Sequence, residues 1–98
     1  MTRWALSPDA ADDLERLTDF LLASLPEHAF ATVDLVLKAL EILRDHPKVG
    51  RPIGQGLREL VISRGASGYL ALYQYDEAFD LAVVLRIKHQ RELGYPVR

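Results

Sequence analysis

The stretch GYLALYQYDEAFDLAVVLRIKH, Gly68 to His89, decides the fold. It holds two runs rich in β-branched and aromatic residues, GYLALYQY and DLAVVLRIKH, separated by the short polar break DEAF. Each run reads as a strand, and so short a connection makes the two strands antiparallel neighbours. One step upstream, LRELVIS (Leu57 to Ser63) is a third run, joined by the turn RGAS. The three form an antiparallel meander. Before it, HPKVGRPIGQG places three glycines and two prolines in eleven residues, which interrupts every period and reads as a loop.

The first half of the chain has a different period. Thr2 to Leu6 is a short alternating strand with Trp4 and Leu6 on one side. Ser7 then suits a helix N-cap, Pro8 the first helical position, and Asp9 the positive end of the helix dipole. Ala10, Leu14, Leu17 and Leu21 recur at helical spacing, with Asp12, Asp13, Glu15 and Asp19 at polar positions, so a helix runs to about Ser24. Pro26 breaks it. A second helix is predicted from about Glu27 to Asp45, with Ala29, Val33, Val36, Leu37, Leu40 and Leu43 as its apolar stripe. It ends at His46 because the next residue, Pro47, disfavours helical geometry there. The order is βααβββ, an α+β fold in which a helical hairpin packs on one face of a small, mainly antiparallel sheet.

Ninety-eight residues suit one domain, 1–98, and 49% apolar with 27% charged residues is the composition of an ordinary globule. Cysteine is absent, which excludes disulfides and thiolate chemistry. No apolar run approaches a membrane span, and Met1 to Leu6 lacks the character of a signal peptide, so the expected location is the cytoplasm, with no membrane partner. Charge is unevenly spread. Residues 1–43 carry three basic and eight acidic groups, whereas residues 44–98 carry nine basic and six acidic groups. An anionic partner would meet the second half.

No metal or cofactor motif is present: His28, His46 and His89 are isolated, and GRPIGQG lacks the lysine of a phosphate loop. Strict alternation along the last strand points Leu81, Val83, Leu85, Ile87 and His89 at the hairpin. It leaves Ala82, Val84, Arg86, Lys88 and Gln90 on the open face. His89 then caps the apolar row. Arg58, with Arg51, Arg64 and Arg91, extends the basic area, and such a cluster fits either phosphates or an acidic protein surface. Tyr69, Tyr73 and Tyr75 share one strand face; packing against the hairpin is their default role, and base stacking is the alternative.

The ordered set LSPDAADDL, HPKVGRP, GLRELVI, ASGYLALYQYD and VVLRIKHQREL, from Leu6 to about Leu93, resembles the RelE/ParE superfamily of bacterial type II toxins. The resemblance implies the same βααβββ fold, no cofactor, a cognate antitoxin that wraps the toxin, and contact with operator DNA only through that antitoxin. RelE-like members cut messenger RNA on the ribosome without metal, using lysines, arginines and a tyrosine or histidine near the C-terminus. ParE-like members, the plasmid-stabilisation proteins, lack that set and poison DNA gyrase. Here Leu70 follows the GY where RelE-like members carry arginine, and Leu60 falls near one expected lysine. Arg58 matches the other lysine, Arg91 the late arginine, and Tyr95 lies near the terminal aromatic position. The resemblance therefore favours a non-enzymatic gyrase inhibitor with Arg58, Arg86, Lys88, His89 and Arg91 as its target-binding surface. The alternative is a ribosome-dependent endoribonuclease acting on mRNA through Arg58, His89, Arg91 and Tyr95. A second alternative is a degenerate member that acts through antitoxin binding and operon repression.

Overall fold

The computed structural model describes residues 1–62 and 68–90. In chain order it contains β1 (Arg3–Leu6), α1 (Pro8–Ser24), α2 (Pro26–Leu40), a 3-10 turn (Glu41–Arg44), β2 (Arg51–Gly54), β3 (Leu57–Val61), β4 (Tyr69–Asp76) and β5 (Leu81–His89). The strands form one sheet in the order β1-β5-β4-β3-β2. All neighbours are antiparallel except β1 and β5. This is the expected α+β arrangement of two helices on a mainly antiparallel sheet. No helix among the described residues is long and apolar enough to cross a membrane.

Helix α1 starts where the sequence places it. The Ser7 hydroxyl accepts from the Ala10 N–H (3.1 Å), and Pro8 stands in the first turn. Ala10, Leu17 and Leu21 are buried, as are Ala29, Val36 and Leu40 of α2 and Leu43 beyond it. Of these, Ala10, Leu17, Val36, Leu40 and Leu43 meet Leu60, Tyr69, Ala71, Tyr73, Ala82, Val84 and Ile87 from the sheet in a single core. The second helix is shorter than its apolar stripe predicts: the α-helical ladder ends at Leu40 and tightens into the 3-10 turn, which still buries Leu43.

Two departures from the expected pattern shape the surface. The segment read as a loop contains β2, which pairs with β3 through the two-residue turn Gln55–Gly56. Gln55 and Gly56 both have positive φ (56° and 74°), the backbone that matches the twist of a hairpin. The second departure is a bulge in β5: Leu72 pairs with Arg86 but Tyr73 pairs with Val84, so Leu85 is one residue too many. Core positions consequently change parity along the strand, from Ala82 and Val84 to Ile87. Leu81, Val83 and Leu85, expected against the hairpin, are only half-buried, while Ala82 and Val84, expected on the open face, are fully buried. A single inserted residue inverts the facing of everything before it.

Candidate functional site

Arg86 and Lys88 follow the bulge and keep the facing that alternation gives them, yet both are buried. Arg86 is not on an open face: it is 9% exposed, and its guanidinium makes a bidentate pair with Asp13 of α1, Nε to Oδ2 and Nη2 to Oδ1, both 2.8 Å. The same carboxylate accepts from the Ile87 N–H at 2.9 Å. Burial alone would push the Asp13 carboxyl up. The Arg86 and Ile87 hydrogen bonds, with the charges of Arg86 and Arg16, outweigh it and hold the group below its ordinary value of 3.8. Arg86 is correspondingly held above its ordinary range, its bond to Asp13 being the leading cause. Lys88 is likewise buried, which corrects the expectation that it projects from an open face.

The reason lies at the edge of the sheet. β1 stops pairing at Leu6 opposite Val84, leaving the far end of β5 without a neighbouring strand on that side. The start of α1 takes its place: Ser7 N–H donates to Val84 O (2.8 Å), Ser7 Oγ donates to Leu85 O (3.0 Å), and Asp13 accepts from Ile87. The buried edge thus has its backbone groups satisfied by Ser7 and Asp13 instead of a strand ladder. Asp13 is one of four acids at polar positions of α1 in the sequence. Yet it lies three residues after Ala10 and four before Leu17, on the same stripe, and that spacing is the signal that could have marked it as buried.

A second constellation surrounds Arg58 on β3. Its Nη1 donates to Lys48 O (2.9 Å) and Gly50 O (2.8 Å). The Tyr73 hydroxyl, from β4, donates to Pro47 O and accepts from the Gly50 N–H, each at 2.8 Å. Burial pushes the Tyr73 phenol above its ordinary value of 10.0, so it stays protonated and able to do both. A Cβ on Gly50 would stand 2.6 Å from Tyr73 Cε1, which leaves no room for any other residue there. Around this loop Lys48 pairs with Glu77 (2.6 Å), Arg51 with Glu59 (2.7 Å) and Arg44 with Glu41 (2.6 Å).

Tyr69 and Tyr73 pack in the core and Tyr75 lies against it, in agreement with the packing reading of the three rings. His89 is half-buried and meets Tyr69 edge-on, ring centroids 5.3 Å apart. Tyr75 instead donates to Asp80 Oδ1 (2.7 Å), which also accepts from Thr2 Oγ1 (2.6 Å). These hydrogen bonds hold the Asp80 carboxyl below its ordinary value. Among the described residues no group of three or more histidines, cysteines or carboxylates is placed to hold a metal ion. Of the sequence-predicted residues, Arg58 is drawn to the loop, Arg86 to α1, and His89 to Tyr69. Arg64, Arg91 and Tyr95 lie outside the described residues.

A family profile described as "ParE toxin of type II toxin-antitoxin system, parDE" matches residues 5–94. Toxin RelE3 of Caulobacter vibrioides is 40% identical over 87 residues, covering 89% of this chain and 92% of that protein. A chain in the RelBE2 toxin-antitoxin complex of Mycobacterium tuberculosis is 26% identical with a TM-score of 0.57, over 91% of this chain and 98% of that one. A chain of the chromosomal ParDE system of P. aeruginosa superposes with a TM-score of 0.68 over 91% and 96%; at 23% identity, that likeness is one of fold. A sequence match across nearly the whole chain, on a sheet and hairpin that also superpose, leaves one conclusion: the chain belongs to the RelE/ParE superfamily of type II toxin–antitoxin toxins and matches its ParE toxin family.

Proposed function

We propose that this chain inhibits growth by docking on a protein target, DNA gyrase, without covalent chemistry of its own, and that a cognate antitoxin neutralises it. The observation that carries this reading is Leu70. It sits on β4 directly opposite Lys88, where the resemblance expects the arginine of a messenger-RNA-cleaving member. Removing one charge-stabilising donor from a phosphoryl-transfer site commonly costs a factor of about 10²–10³. The pairing of the surrounding cations supports the same reading. Arg44, Lys48 and Arg51 each face a carboxylate, and the bidentate bond of Arg86 is buried. Arg58, His89 and Arg91 remain the proposed target-binding residues. Arg86 serves as the residue that locks β5 to α1, and Lys88, 7% exposed, has little surface to offer a partner. The antitoxin is proposed because the relatives named above come from toxin–antitoxin systems; operator DNA would be reached only through it.

The test is a supercoiling assay with purified toxin and gyrase. Inhibition with accumulation of cleaved complexes is expected at micromolar toxin; normal supercoiling refutes the gyrase target. The second reading, a ribosome-dependent endoribonuclease, draws on the RelE name of the 40% identical relative. It requires new mRNA ends on toxin expression that disappear in Arg91→Ala.

A further inference from the structure

The loop between the 3-10 turn and β2 is built more rigidly than a connection needs to be. Four hydrogen bonds fix the backbone of residues 47–50: two through Tyr73 and two through Arg58. Tyr73 is wholly buried, and Gly50, itself buried, admits no side chain against that ring. Held in this way is a tip that faces outward. Val49 is 51% exposed, and an open depression of about 360 Å³ lies along His46, Pro47, Lys48 and Val49. Ile53, on the neighbouring edge strand β2, is also exposed.

The local charge says what kind of partner this surface fits. Lys48 pairs with Glu77, Arg51 with Glu59 and Arg44 with Glu41. Arg58 spends its Nη1 on loop carbonyls. A nearly neutral, apolar tip with paired charges at its rim is a poor attractor of phosphates, whose binding depends on net positive charge. It has the make-up of a protein-interface centre, apolar in the middle and polar at the edge. Fixing a contact loop in advance removes the ordering entropy that binding would otherwise cost.

We infer that loop 46–50 is a preorganised contact element of this toxin, with Val49 entering an apolar pocket on the surface of a folded protein target. This inference rests on the reading of the chain as a toxin with a protein target. Tyr73 acts as a positioning residue that holds the loop and does not touch the partner, while Arg58, itself one of the proposed target-binding residues, holds the loop through Nη1.

Val49→Asp changes an exposed side chain and leaves every bond of the loop in place. The variant is expected to keep the wild-type Tm and lose growth arrest at equal soluble protein level, with target affinity lowered at least about tenfold. Undiminished growth arrest by Val49→Asp overturns the inference. Tyr73→Phe is expected to speed amide exchange at residues 48–50 and to weaken growth arrest; fast exchange with full activity overturns the positioning role. A photo-crosslinking residue in place of Val49 in the full chain should give a product that resists nuclease and yields to protease. A nuclease-sensitive product would make the partner a nucleic acid and refute the protein surface. Supercoiling by gyrase separates the two levels. If wild-type toxin arrests growth but leaves supercoiling intact, gyrase falls as the target, and the loop stands or falls by the Val49→Asp growth result.

Discussion

Replacing Asp13 by alanine should be the most damaging polar substitution in the described part of the chain. The carboxylate is nearly enclosed, with 4% of its side chain exposed, and makes three hydrogen bonds at 2.8–2.9 Å. Its removal takes the bidentate partner from the Arg86 guanidinium, 11% exposed, and the acceptor from the Ile87 N–H at the edge of β5. Truncating one partner of a buried ion pair costs about 3–5 kcal/mol. Asp9, 4.0 Å from Arg86 Nη1 and part-exposed, stays as a counter-charge but replaces neither bond of the bidentate pair, so the lower end of that range is expected. For a domain of this length about 3 kcal/mol corresponds to a fall in Tm of at least about 12 °C. Circular dichroism against temperature and urea reads both quantities. Pairing Asp13→Leu with Arg86→Met removes both charges and should recover most of the loss. About 1–3 kcal/mol would remain missing for the unpaired Ile87 N–H. The pH dependence gives an independent check. The native carboxyl titrates below its ordinary value, so its contribution is full above pH 3.8 and drains away as pH falls through the lower native value. Asp13→Ala should therefore flatten the acid limb of the stability curve and leave its neutral region parallel to wild type. A loss below about 1 kcal/mol at neutral pH would refute this account: it would mean that the pair is solvated and that α1 is held to β5 by apolar packing alone.

Gly50→Ala should destabilise by about 1–3 kcal/mol or more in the same unfolding assay, since the new methyl would stand 2.6 Å from a fully buried ring. Ser7→Ala loses both the α1 cap and the bond to Leu85 O, and a fall of about 1–2 kcal/mol is expected; an unchanged urea midpoint would deny the cap its role. Lys38→Ala, by contrast, breaks only an exposed pair with Asp34 and should shift stability by less than about 0.5 kcal/mol.

The hairpin of helices, the cap at Ser7 and the meander of β3, β4 and β5 follow from local period and punctuation, and each stands in the structure. β2 was missed because its residues, RPIG, carry no strand period; they extend because β3 offers a partner edge and a turn able to reach it. The facing of β5 was read from strict alternation, which one extra residue at Leu85 defeats. Arg86 follows the bulge and keeps the facing that alternation gives it; its burial comes instead from Asp13 of α1, which no local feature of β5 announces. Tyr73 was rightly given to the core, but nothing in its neighbours in sequence announces that its hydroxyl holds a loop 26 residues upstream.

By itself the sequence determined the element types, their order, the capping of α1 and the superfamily, because these depend on side chains within a few turns of one another and on an ordered set of short motifs. Only the tertiary structure decided which polar groups are surface and which are framework. Asp13 and Arg86 are 73 positions apart, and neither has a local feature that names the other. What joins them is the end of β5 that lacks a strand neighbour where β1 stops. Unpaired backbone at a buried edge must find partners: Ser7 serves Val84 and Leu85, and Asp13 serves the Ile87 N–H.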